Sequence, residues 1–156
     1  MLEGAGYKIG ISICFEGAFG EEVIWTVPEA SLLVNVSNDA WFSGSIAPYQ
    51  HAQMAQMRAI ESGRPMLRAT NTGLTAVFDH KGRLIGSIPQ YEVSVLKVIV
   101  QPMAGATPYS VVGNSMVVLL SVVGVVGAWL MYRCVGRVSG QHCFRRAKAI
   151  QAKSSQ

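Results

Sequence analysis

Cys14 is the residue whose type and setting point most directly to chemistry. It ends an alternating stretch, within Ile13-Cys14-Phe15-Glu16-Gly17 and ahead of Gly20. A nucleophile on a sharp strand-to-helix turn stands above its sheet, where backbone N–H groups can hold an oxyanion. Sulfur suits acyl transfer because it forms a labile thioester. A lone cysteine is also commonly a small buried hydrophobe, so it is the turn that singles this one out. A free thiol titrates at about 8.5 and needs a base or a cation beside it. Lys8 shares the strand and the face, but six residues at about 3.3 Å each put it roughly 20 Å away. Glu3 is farther along the same run. Glu16, two residues on, is within reach, either as a supporting carboxylate or as an ordinary turn residue.

Other chemistry-bearing residues are scattered. His51 can pair with Cys14 or make a structural hydrogen bond, and the structural bond is the favoured reading. Arg58 and Glu61 stand at i,i+3 and can pair. Arg64 and Arg68 can bind an anion or form salt bridges, with salt bridges favoured. No two of the three cysteines have metal or redox spacing, and the three histidines are isolated. No cluster suggests a metal or an organic cofactor.

These residues need elements to position them. Tyr7–Cys14 alternates and reads as a strand. Glu21–Ala30 reads as a short helix with acids at its N-terminal end, where the helix dipole favours them. Ser31–Ser37 is nearly all apolar, as in a strand buried on both faces. Asn38–Gly44 is a loop, and Ser45–Ser62 a helix stopped by Gly63 and Pro65. In that helix Met54 and Met57 with Ala52, Ala55 and Ala59 read as packing residues. Met66–Asn71, Leu74–Asp79 and Arg83–Ser87 read as strands, with a hairpin turn at Asp79-His80-Lys81-Gly82. Val93–Val100 reads as one more. Strand–helix–strand–helix followed by hairpins implies a layered α/β fold.

Composition adds a membrane. The chain has 156 residues, 50% hydrophobic and only 14% charged, with a mean hydropathy of +0.31. That argues against a purely soluble or disordered chain. No charge occurs between Lys97 and Arg133. Val111–Tyr132 would reach about 33 Å as a helix, enough for a hydrocarbon core of roughly 30 Å. Trp129 and Tyr132 sit at its end, as interfacial aromatics do. The net charge of +4 is a matter of the tail. Residues 1–132 sum to −2, while 133–156 carry six Lys/Arg and no acid. No basic face with interleaved aromatics appears elsewhere, so nucleic-acid binding is not expected. The positive-inside rule puts the tail in the cytoplasm and residues 1–110 outside. The sequence MLEGAGYK has no export signal, so the expectation is that an upstream membrane segment belongs to a longer protein. Cys134 and Cys143 would then lie across the bilayer from Cys14.

Several motifs resemble a known family. Ile13-Cys14-Phe15-Glu16 and Leu33-Val34-Asn35-Val36-Ser37-Asn38-Asp39-Ala40-Trp41-Phe42 resemble the nucleophile strand and following strand-loop of the carbon–nitrogen hydrolase (nitrilase-like) superfamily. Ser45-Ile46-Ala47-Pro48-Tyr49-Gln50-His51, Met57-Arg58-Ala59, Gly63-Arg64-Pro65 and Arg68-Ala69-Thr70-Asn71-Thr72-Gly73 are similar to bacterial apolipoprotein N-acyltransferases. So are Thr107-Pro108-Tyr109, the single span and the short basic tail. The likeness covers about residues 7–133.

The resemblance implies the C-terminal part of an αββα sandwich followed by one transmembrane helix. It divides the chain into a partial carbon–nitrogen hydrolase domain (1–108), the helix (109–132) and a basic cytoplasmic tail (133–156). It places the catalytic domain in the periplasm, on a multi-pass inner-membrane protein. It also implies a two-step reaction. A phospholipid acyl chain passes to the Cys14 thiol, then to the α-amine of a diacylglyceryl-cysteine on an apolipoprotein. Cys14 is the implied nucleophile and Glu16 the implied supporting acid. Phe15 stands where the family often has Tyr, so a hydroxyl is lost there. The family's Glu base and Lys have no match in this chain, which is therefore expected to be inactive alone. Two alternatives are a membrane-tethered amidase of the same superfamily and a non-catalytic remnant.

Overall fold

The computed structural model describes residues 1–42 and 44–133. Contacts divide it into two units, the first spanning Met1–Asn114. That unit is built on one six-stranded sheet. Its strands are β1 (Leu2–Gly4), β2 (Tyr7–Ile13), β3 (Leu32–Ser37), β4 (Met66–Thr70), β5 (Thr75–Phe78) and β6 (Leu84–Ile88), in that spatial order. β2, β3 and β4 are parallel, and the outer pairings are antiparallel. The parallel steps require crossovers. A 3-10 turn (Cys14–Ala18) and α1 (Gly20–Ile24) make the first, and α2 (Ala47–Ser62) makes the second. This is the α/β layering expected from the sequence, with one sheet and one helical layer of the sandwich.

The core lies between α2 and the sheet. Ala55 and Ala59 of α2 meet Leu33, Met66, Ala76 and Phe78, with Val23 of α1 beside them. Small residues along one ridge let the helix lie close to the strands, as read from the sequence. The two methionines of α2 do not take part, since Met54 and Met57 face outward. α2 starts with Pro48 in its first turn and ends at Gly63, whose φ of +64° is the left-handed cap that glycine favours.

Four readings need correction. Ser31–Ser37 is not buried on both faces. Leu33, Asn35 and Ser37 are buried under the helices, while Val36 on the other face is 50% exposed. Glu21–Ala30 is helical only to Ile24, and turns continue to Glu29. Val93–Val100 alternates but forms no strand. It passes beside β6, with Leu96 and Val98 near Gly86. Finally β1, unread in the sequence, pairs with β2 through a turn at Ala5 and Gly6, both at positive φ.

A short helix α3 (Pro108–Val112) is capped by Thr107, whose hydroxyl accepts from the Ser110 N–H. It ends at Gly113, with φ of +57°. The second unit holds α4, Ser115–Arg133, 19 residues long with a hydropathy of 2.1, enough by length and composition to cross a membrane. The long apolar helix thus begins at Ser115, because Gly113 interrupts the stretch that starts at Val111. At its end the Arg133 guanidinium lies 4.1 Å over the Trp129 ring. Residues 134–156, including Cys134, Cys143 and the basic tail, lie outside the described residues.

Candidate active site around Cys14

In open α/β sheets, functional groups gather beyond the carboxyl ends of the parallel strands. Here those ends present Cys14 after β2, Asn38 and Asp39 after β3, and Asn71 after β4. Cys14 takes φ of +52°, a left-handed conformation that costs a non-glycine residue on the order of 1 kcal/mol or more. Such strain persists only where the surroundings hold it. Two side chains, Asn35 and Glu16, do so, with His51 beside them. Asn35 Nδ2 donates to the Cys14 carbonyl oxygen at 3.1 Å and to Ser12 Oγ at 3.0 Å. His51 Nε2 stands 3.2 Å from the same carbonyl. Glu16 Oε2 accepts from the Ile13 N–H at 2.7 Å, bracing the turn from its other side. Gly17 leaves room for this packing, since a Cβ there would lie 2.8 Å from Asn35 Nδ2.

A buried polar network stands behind the turn. Arg68 donates to Asn35 Oδ1 at 2.5 Å and to Asp39 Oδ2 at 2.6 Å. The first bond fixes which end of the Asn35 amide faces Cys14. Asp39 Oδ1 accepts from Ser37 Oγ at 2.7 Å and from His51 Nδ1 at 3.1 Å. Arg68 and Asp39 have fully buried side chains. Burial pushes the Asp39 carboxyl up. The Ser37 hydrogen bond, the Arg68 charge and hydrogen bond and the His51 charge outweigh it and hold the pKa below its usual 3.8. Burial lowers the Arg68 pKa, against the pull of Asp39.

Cys14 is half-buried. Its hydrogen-bond neighbour is Ser37 Oγ, at 3.7 Å. It borders a largely apolar cleft of about 420 Å³ lined by Ile13, Val36, Ala69 and Thr70 among others. Nearby, Phe15 and Phe19 stack edge to face at 5.7 Å, and Trp41 projects 86% exposed from the loop after β3. Among the described residues, no three His, Cys, Asp or Glu side chains are placed to hold a metal ion.

The other sequence candidates find different places. His51 does reach Cys14, but at its carbonyl and not its sulfur, which is the structural role favoured from the sequence. Arg68 makes the favoured salt bridge. Arg64 makes neither an ion pair nor an anion site, because it donates to the carbonyls of Ala30, Val27 and Gly105. Arg58 pairs with Glu61 at 3.0 Å. Lys8 pairs with Glu29 at 2.5 Å, far down β2. Ser37 and Asp39 carried no role in the sequence reading. A signal was there, since Asn35 and Ser37 put polar groups at i and i+2 on the covered face of an otherwise apolar strand.

The fold thus sets a half-buried cysteine on a strained turn at the carboxyl ends of the parallel strands of a mixed α/β sheet. The carbon–nitrogen hydrolase family model matches residues 1–109, and the chain belongs to that family. Its curated relatives include an apolipoprotein N-acyltransferase of Nitrosomonas europaea, 48% identical over 140 residues, covering 90% of this chain and 27% of the relative. Another, from Methylococcus capsulatus, is 53% identical over 114 residues, covering 73% and 23%. The chain thus spans about a quarter of the length of these relatives. Among solved structures, a carbon–nitrogen hydrolase from Helicobacter pylori shares the fold, with a TM-score of 0.52 at 13% identity over 57% of this chain and 39% of that one.

Proposed function

We propose that this chain carries the nucleophile of an apolipoprotein N-acyltransferase. Cys14 Sγ attacks the ester carbonyl of a phospholipid, the lysophospholipid leaves, and a thioester remains. The α-amine of a diacylglyceryl-cysteine on an apolipoprotein then attacks the thioester, forming an amide and releasing the thiol. The observation that carries this reading is Cys14 itself, held at positive φ by Asn35 and Glu16 beside an apolar cleft. Glu16 supports the turn through the Ile13 N–H, and the apolar cleft suits an acyl chain better than a polar substrate.

In this reading residues 1–108 are a partial carbon–nitrogen hydrolase domain on the periplasmic side of the bacterial inner membrane. Residues 109–132 contain the span, and the basic residues 133–156 stay in the cytoplasm. Among the described residues the Cys14 sulfur meets a hydroxyl and neither a carboxylate base nor a lysine. Residues 1–156 alone are therefore proposed not to turn over.

The test is an intact mass of the polypeptide captured from native membranes, with peptide mapping. A hydroxylamine-labile acyl adduct on the Cys14 peptide, absent after Cys14→Ser, is the expected result. An adduct that survives Cys14→Ser, or none at all, overturns the assignment. Acyl release to water without an amine acceptor would indicate an amidase instead. Acyl transfer by the isolated 156-residue chain would refute its proposed inactivity.

A further inference from the structure

Counting donors and acceptors around Ser37 leads beyond the nucleophile. Ser37 Oγ is buried and lies within hydrogen-bond distance of two groups, Asp39 Oδ1 at 2.7 Å and Cys14 Sγ at 3.7 Å. One hydroxyl carries one proton and two lone pairs. Asp39, held ionised by Arg68, can only accept. While Cys14 is a thiol, the Ser37 proton therefore goes to Asp39. A lone pair is left facing the sulfur, and the S–H donates to it. Once the thiol has lost its proton, that arrangement aims a lone pair at an anion. Rotation about the Ser37 Cβ–Oγ bond turns the O–H to the sulfur, at the cost of its bond to Asp39 Oδ1. Asp39 Oδ1 still holds the His51 Nδ1–H, and Oδ2 still holds Arg68, so the carboxylate is not abandoned. In a thioester the sulfur is neutral, and the proton returns to Asp39.

We propose that Ser37 is a hydroxyl rotor for Cys14, accepting from the thiol at rest and donating to the thiolate when it forms, with Asp39 as the second stop of the proton. By exchanging its bond to Asp39 for one to the sulfur, the hydroxyl meets a thiolate with a proton and a thiol with a lone pair. No bond breaks in the rotation. The thiol proton itself leaves to an external base. The inference rests on Cys14 being the reactive thiol and adds Ser37 to the groups that touch the reacting atom.

The test uses the full chain in detergent micelles, in a Cys134→Ser/Cys143→Ser background. Iodoacetamide alkylates Cys14 as the thiolate: the C–S bond forms, the C–I bond breaks, iodide leaves, and the proton ends on hydroxide as water. Ser37→Ala is expected to slow this at neutral pH by roughly three- to tenfold, within what an ordinary net hydrogen bond contributes. Ser37→Thr keeps the hydroxyl and is expected to stay within about twofold of wild type, since the same donor remains. An unchanged rate in Ser37→Ala overturns the proposal. An equal loss in both variants also overturns it, because packing then explains the effect. The infrared S–H stretch gives a second readout that needs no variant. In the native chain it is expected at lower frequency than in the denatured chain, as for a thiol that donates to oxygen. A native band at the free-thiol position overturns the proposal. Normal alkylation behaviour here, with no acyl adduct on the Cys14 peptide captured from native membranes, would count against the proposed function alone.

Discussion

Arg68→Met tests whether the buried network, and not the apolar core alone, holds the Cys14 end of the sheet. Arg68 and Asp39 pair at 2.6 Å with both side chains fully buried. Removing one partner of such a pair leaves an uncompensated charge, at a cost of about 3–5 kcal/mol. Met fills much of the vacated volume, and Asp39 keeps its bonds from Ser37 and His51. Both effects favour the low end, ~3 kcal/mol, a factor on the order of 10² in the unfolding equilibrium. For a unit of this size that is a Tm loss of roughly 10–15 °C. The sign of the pH effect follows from the two states of Asp39. In the wild type the folded pKa lies below 3.8, so its stabilisation is present above that value and is lost as pH falls through the folded pKa. Without Arg68, burial is the dominant influence and the folded pKa rises above the unfolded one. The variant's penalty is then full at neutral pH and shrinks on acidification, as the carboxyl takes up a proton and becomes neutral. The assay is thermal unfolding followed by near-UV circular dichroism, comparing both chains from pH 7 down to about pH 4, close to the ordinary carboxylate value. A Tm difference under about 3 °C at pH 7, less than 1 kcal/mol on the same scale, would refute the reasoning. So would a difference that grows as pH falls.

Two glycines give further predictions. Gly17→Ala would place a Cβ 2.8 Å from Asn35 Nδ2 and 3.2 Å from Ser12 Oγ. It should cost about 1–3 kcal/mol by overpacking and slow alkylation of Cys14, read by thermal melts and iodoacetamide kinetics; a variant as stable and reactive as wild type would show that the Asn35 clamp does not hold the turn. Gly63→Ala combines the left-handed φ of +64° with a Cβ 2.9 Å from Thr107 Cγ2. A loss of about 1–2 kcal/mol is expected, with Cys14 alkylation unchanged, since the cap lies at the far end of α2.

Local pattern was enough for much of the fold. The alternation of β2, the 3.6-residue spacing of the α2 alanines, Gly63 and Pro65 as stops, and the Asp79–Gly82 turn are all decided within a few residues, where backbone sterics and periodicity act. The turn that carries Cys14 was legible for the same reason, because it is written in consecutive residues from Cys14 to Gly20. Val93–Val100 shows where local pattern fails. Its alternation fits a strand, but a strand exists only when another edge pairs with it, and this segment finds none. β1 failed in the opposite direction, since three exposed residues carry no periodic signal and its pairing with β2 alone defines it.

The sequence by itself determined most of the helix and strand identities, the thiol and its turn, and a charge-free stretch long enough for a membrane. Tertiary structure alone decided what surrounds the thiol. The β3–β4 register sets Asn35 against Arg68, and the α2 crossover drops His51 onto Asp39 and the Cys14 carbonyl. These partners are separated by 12 to 37 residues along the chain. Hydrogen bonds depend on ångström-scale placement, and for groups so far apart only the packed sheet and helix supply it.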